Sequence, residues 1–154
     1  MSTPGREIHV YNRQRQVRVD LKALNGVARR SVEVIGSLAV PGRRARTLPE
    51  EIDVLLVSDR RIAAIHRQFM NLAGPTDVIT FQHGEIFIST ETARENARRF
   101  GNGVGEELEL YIVHGLLHLR GFDDKDASNA RRMRATQGRL VKDLRRRKST
   151  KAGR

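Results

Sequence analysis

The sequence predicts a single α+β domain in which a small mixed β-sheet packs against helices, with a metal site at the end of a buried central helix. Three observations lead there. Apolar residues recur with period two in some segments and with helical period in others, interspersed without an internal repeat, a linker or a low-complexity block. The chain has 154 residues, 38% of them hydrophobic, which suits one core and is short for two. One stretch ending at Leu119 is apolar on nearly all sides and therefore belongs in the interior.

Each element has its own local reason. Glu7-Ile8-His9-Val10-Tyr11-Asn12 alternates as a strand does, and Asp20 then stands before Leu21, Leu24, Val27, Ala28, Val34, Ile35 and Leu38, whose spacing is helical. Pro41-Gly42-Arg43-Arg44-Ala45-Arg46 is a basic loop. Ile52-Asp53-Val54-Leu55-Leu56-Val57 is a second strand, and Ser58 or Asp59 caps a helix carrying Ile62, Ile65, His66 and Phe69 that stops near Asn71 to Gly74. Segments 75–81 and 84–89 form a hairpin about Gln82-His83-Gly84. Ser89 or Thr90 caps a polar helix ending near Phe100, before the glycine-rich loop Gly101-Asn102-Gly103-Val104-Gly105. The interior helix opens with Glu106 and Glu107, acidic residues suited to the positive end of the helix dipole. After a turn at 122–126 a last helix runs through about Leu144, with Met133, Leu140, Val141 and Leu144 facing inward. The expected domain spans residues 6–144, with 1–5 and 145–154 as flexible tails.

Charge narrows the function. Lys and Arg number 29 against 18 Asp and Glu, a formal net charge of +11, which points to a polyanionic partner. No apolar run reaches the roughly 18 residues of a membrane span, and no secretory signal or lipidation signature is visible, so nucleic acid is favoured over a membrane and a cytoplasmic location is expected. The absence of cysteine excludes disulfides, thiolate catalysis and Cys-based metal sites. With 5% aromatic residues and no Trp, base stacking is poorly supplied, and charge must do more of the binding. Arg43, Arg44, Arg46, Arg98, Arg99, Arg131, Arg132 and Arg145 to Arg147 form the phosphate-binding pool, with no DNA specificity and no individual contact assigned.

The sharpest motif is His114-Gly115-Leu116-Leu117-His118-Leu119-Arg120-Gly121-Phe122-Asp123-Asp124. Imidazoles at i and i+4 share a helix face, Gly121 lets the chain reverse, and Asp124 can return beside both rings. Two nitrogen donors and one oxygen, with a fourth position open, fit a catalytic Zn2+ whose bound water ionises near neutral pH. The competing reading is a pair of hydrogen-bonded core histidines, which leaves buried polar groups to satisfy. Asp123 is a candidate orienting carboxylate, though a turn or cap role is favoured. The spacing also resembles the metzincin protease pattern H-E-x-x-H-x-x-G-x-x-H, but the general-base Glu of that pattern falls at Gly115.

The same stretch resembles the YbeY family of bacterial endoribonucleases, whose signature is similar to H-G-x-L-H-L-x-G-[YF]-D-H. Pro75-Thr76-Asp77-Val78-Ile79-Thr80-Phe81 and Gly84-Glu85-Ile86-Phe87-Ile88-Ser89 resemble that family's P-T-D-V-L-S-F and G-D-I-x-I-S segments in the same order. With the Met133 region the resemblance covers roughly residues 50–140. It implies a single-strand-directed, metal-dependent endoribonuclease in ribosomal RNA maturation and ribosome quality control, with ribosomal RNA of the small subunit as partner. Three departures stand out: Asp124 replaces a third histidine, Met70 an arginine five residues before the Pro-Thr-Asp motif, and Gln137 an acidic residue. Thr76 and Asp77 are candidates for shaping the cleft, whereas His83, His9 and His66 have weaker claims. The attacking nucleophile stays open between water and a ribose 2′-hydroxyl. The alternatives are a non-catalytic ribosome-associated RNA-binding protein with a structural metal, and a metallopeptidase.

Overall fold

The computed structural model describes residues 6–40 and 45–152, with side chains described through Arg146. The expected tail at residues 1–5, the Arg43 and Arg44 part of the basic loop, and the Arg147 side chain lie outside the described residues. The elements run β1 (Glu7–Asn12), α1 (Leu21–Gly36), β2 (Glu51–Val57), α2 (Asp59–Met70), β3 (Val78–Phe81), β4 (Glu85–Ser89), α3 (Thr90–Phe100), α4 (Val104–Arg120) and α5 (Ala127–Ala152).

The four strands form one mixed sheet in the order β1-β2-β4-β3. β1 pairs parallel with β2 and β2 with β4, while β3 returns antiparallel to β4 as the expected hairpin. Alternation along the strands divides two apolar clusters between the faces. Ile52, Val54, Leu56, Ile86 and Ile88 join the main core with α1 and α4, whereas Leu55, Val57, Phe87 and Ile79 meet Ile62 and Ile65 of α2.

Local chemistry sets the helix ends. Asp20 accepts from the Ala23 amide at the start of α1, Ser58 from the Arg61 amide in α2, and Ser89 from the Thr92 amide in α3. Asn71, Gly101 and Gly121 close α2, α3 and α4 in the left-handed conformation. Two boundaries differ from the sequence pattern. α4 begins at Val104, ahead of Glu106, because the Glu106 carboxylate reaches back to accept from the Gly103 amide at 3.0 Å. α5 continues past Leu144 to Ala152: the apolar pattern ends there, but Arg and Lys are good helix formers and carry the helical backbone on.

α4 packs against α1, α3, α5 and the β3–β4 hairpin, so it lies at the centre of the layer on one side of the sheet. Leu108, Ile112, Val113, Leu116 and Leu117 are fully buried. His114 and His118 sit on the C-terminal half of this helix, beside β3 and the hairpin turn, and Asp124 lies on the turn that follows it.

Candidate metal centre

His114 and His118 stand one turn apart on α4. The Nδ1–H of His114 donates to the Gln137 amide oxygen on α5 at 2.9 Å, and the Nδ1–H of His118 donates to the Phe122 carbonyl at 3.1 Å. These bonds fix both tautomers and leave both Nε2 lone pairs facing inward. The two Nε2 atoms are 3.1 Å apart. Two bare lone pairs so close repel each other unless a cation lies between them. Nitrogen ligands about 2.05 Å from one tetrahedral zinc ion would stand ~3.3 Å apart, so the observed spacing fits a shared ion.

Gly121 turns the chain at φ 116° after α4, as the motif requires. The reversal carries Asp124 back until its Oδ2 is 3.9 Å from His118 Nε2, and one donor atom from each of His114, His118 and Asp124 lies within 4.8 Å of the others. Among the described residues this is a three-donor cluster, with a carboxylate that is exposed and two imidazoles that are half-buried. The pKa of His118 is lowered, first by burial and second by neighbouring His114, against the opposing pull of Asp124. The neutral imidazole is the form that binds metal. The donor set therefore fits a divalent cation.

Gln137, noted in the sequence only as a missing acid, is the hydrogen-bond partner of His114. Met70, where the signature would place an arginine, is 45% exposed and lines a hollow of about 220 Å3 with Thr80, Gln82 and both histidines. The Thr80 hydroxyl at this hollow is buried without a hydrogen-bond partner. On the other side of Asp124, Arg46 lines a second hollow and donates to Gln82 at 2.7 Å. Arg145 is engaged with Glu106 and Glu109. Asp123 accepts from the Lys125 amide at 3.1 Å, the geometry of a turn residue. Asp77 accepts from the Val78 amide at 2.8 Å and contributes to the main cleft; Thr76 bonds Asp77 at 3.4 Å. His83 stacks on Phe81 and pairs with Glu85 at 2.7 Å, His66 bonds the Gly74 carbonyl, and His9 lies 4.0 Å from Glu7. None of those three histidines joins the cluster.

The main cleft, about 640 Å3, opens from His114 and Asp124 and runs along α4 between α3 and α5. Its walls include Glu107 and Tyr111, which sequence reasoning missed. The signal was present: Glu107, Tyr111, His114 and His118 lie at i, i+4, i+7 and i+11, a polar stripe on a helix whose other residues from Leu110 to Leu119 are apolar or glycine. Tyr111 donates to Glu107 and accepts from Asn96 at 2.7 Å; its pKa is raised to about 12, chiefly by burial.

The packing at Gly115 explains why this motif lacks a side chain directly after its first histidine. A Cβ there would stand 2.8 Å from Ile86 Cγ2 and 2.9 Å from Ile86 Cδ1, so α4 packs on β4 through the glycine. A glutamate in the protease position has no room. Gly115→Ala should lower stability by about 1 to 2 kcal/mol in urea unfolding, overpacking outweighing the gain in helix propensity. No loss would mean that Ile86 gives way freely.

Comparison with known proteins finds a matching family model, similar sequences and a similar fold. The family model described as Endoribonuclease YbeY matches residues 9–145. Among similar curated proteins, an endoribonuclease YbeY of Anaeromyxobacter sp. (strain Fw109-5) is 39% identical over 102 residues, covering 60% of this chain and 53% of that protein. One from Thermotoga maritima is 35% identical over 100 residues, covering 60% and 67%. The solution structure of a Thermotoga maritima protein superposes with a TM-score of 0.62 at 26% identity, covering 94% of this chain and 93% of that one. The chain spans about half the length of the first curated relatives it matches, 53% in each of two Anaeromyxobacter proteins.

Proposed function

The chain belongs to the YbeY endoribonuclease family, and on that premise we propose that it is a metal-dependent endoribonuclease cutting single-stranded RNA during ribosomal RNA maturation. The proposed catalytic domain is residues 6–144, and the proposed partner is small-subunit ribosomal RNA in the cytoplasm. The observation that carries the reading is the convergence of two inward Nε2 atoms and the Asp124 carboxylate at the mouth of a large cleft.

His114, His118 and Asp124 would hold the ion, proposed to be Zn2+. When bound, a divalent ion supplies Lewis acidity toward a phosphate oxygen and the attacking oxygen. The protein's own contribution is positional. Gln137 and the Phe122 carbonyl hold the imidazoles in one tautomer and orientation. Asp124, on a turn rather than a helix, adds a negative charge that offsets part of a cation's charge and makes oxygen-preferring ions more acceptable than a three-histidine set would. Arg46 and Arg134 flank the centre from its hollow and its cleft and provide cationic groups for phosphates. The three-donor cluster leaves room for substrate, which favours a catalytic over a closed structural site.

The test is cleavage of a labelled single-stranded ribosomal RNA fragment by wild type and by His114→Ala/His118→Ala, with metal content measured on both. The expected result is metal retained and RNA cut by wild type alone. Equal cleavage by the two proteins would sink the catalytic reading and leave a metal-stapled RNA-binding protein.

A further inference from the structure

The floor of the main cleft contains a carboxylate that the proposed chemistry does not use. Glu107 is 4% exposed and contributes to the cleft lining. It accepts from the Asn102 amide at 2.9 Å and from the Tyr111 hydroxyl. Among the described residues no cation pairs with it. A carboxylate offers about four acceptor positions, so two neutral donors leave it with unused capacity. Burial of such a group is costly unless it gains further donors.

We propose that this cleft is a nucleobase subsite that prefers guanine, with Glu107 reading the base edge. The proposal rests on the RNA-cleaving reading above. Glu107 precedes His114 by seven residues on a straight helix, a rise of about 10 Å. That is the reach of one nucleotide from its phosphate to the far edge of its base, so a phosphate at the metal centre places its own base over Glu107. The volume of about 640 Å3 lies in the range of ligand-binding clefts, roughly 300 to 1,000 Å3.

Donor chemistry selects the base. Guanine presents N1–H and N2–H2 side by side, matching the two oxygens of one carboxylate. Uracil flanks its single N–H with carbonyls that a carboxylate repels, and adenine and cytosine set a ring nitrogen acceptor beside their amino groups. Asp77, also in the lining, strengthens the bias toward donors. Phe100 contributes to the same cleft and is 66% exposed, providing a ring face for an unstacked base. It supplies part of the stacking surface that the low aromatic content left in doubt.

The experiment measures equilibrium binding by fluorescence anisotropy of labelled uridine pentamers carrying guanine, hypoxanthine, adenine or cytosine at the centre. Their 2′-O-methyl sugars and phosphorothioate linkages resist cleavage, and the full-length metal-loaded protein is used. Wild type should bind the guanine pentamer at least about fivefold more tightly than the adenine one, the low end for a bidentate base contact. Hypoxanthine, which keeps N1–H and lacks the amino group, should fall between them. Glu107→Gln should bring the guanine-to-adenine ratio close to one, a change that mere loosening of the α3–α4 loop would not produce. Should that variant fail to fold, the wild-type ranking and its hypoxanthine intermediate decide the matter. Equal binding of all four, or a ranking led by another base, overturns the guanine subsite while the ribonuclease reading stands. Absence of binding to any of them overturns both.

Discussion

Alanine in place of His118 should weaken zinc binding by more than about 100-fold, since loss of a mere supporting partner of a metal ligand already costs 10- to 100-fold. The expected protein stays folded. His118 is half-buried, and although its truncation removes the ring's bond to the Phe122 carbonyl, the turn keeps the main-chain bonds from Gly121 to the His118 carbonyl and from Phe122 to the Leu117 carbonyl. What disappears is one of two inward Nε2 atoms, leaving His114 and an exposed carboxylate. Competition against a chromophoric zinc chelator measures the change directly. Thermal melting gives a second reading: wild type should be stabilised by about 4 kcal/mol at zinc a thousandfold above its dissociation constant, and the variant by much less at the same concentration. Unchanged affinity would show that zinc binds elsewhere and would remove the foundation of the proposed chemistry.

Gly84→Ala should destabilise the fold by about 4 kcal/mol, the mid-range sum of contributions of roughly 1 to 3 kcal/mol each from backbone strain and overpacking. Gly84 sits at φ 120°, in a region side chains avoid, and a Cβ would stand 2.5 Å from the Glu51 carbonyl oxygen and 3.3 Å from Pro49 Cβ. The same residue bonds both ways along the sheet. Its amide donates to the Phe81 carbonyl, and its carbonyl accepts from the Asp53 amide, joining the hairpin turn to β2. Neither the residue nor its neighbours can shift without disturbing those bonds. Equilibrium urea unfolding should show a midpoint lowered by 1 M or more, at a slope of about 1 to 3 kcal/mol per molar. A change within about 0.5 kcal/mol would mean that the hairpin relaxes away from β2 at little cost. Because β3 carries Thr80 beside both histidines, any surviving activity should fail with unfolding rather than with loss of metal.

Much of the fold was legible because its signals are local. Ser58 and Ser89, each one of two residues expected as a cap, do cap α2 and α3, and Asp20, which stands just before the helical pattern, caps α1, since capping involves only the next few residues. The β3–β4 hairpin was legible for the same reason, its strands being separated by a short turn. The ends of α4 and α5 were less so: Gly103 offers no capping side chain, and the arginine-rich end of α5 has no apolar pattern to mark its extent.

The site divides along the same line. His114, His118, Gly121 and Asp124 are near neighbours in sequence, so spacing and a glycine turn were enough to bring them together as candidates. The sequence by itself thus determined the strand and helix inventory, the basic character and the three-donor motif. Only the tertiary structure decided the strand order, which depends on which parallel partner β2 finds, and the cleft, whose walls come from α3, α4, α5 and the segment before β3. It also turned Gln137 from a missing acid into the residue that orients His114, and Gly115 from a missing base into the contact between α4 and β4. The physical reason is distance along the chain. Capping, turns and periodicity act over a few residues, whereas Gln137 meets His114 and Ile86 meets Gly115 only after separate elements have packed.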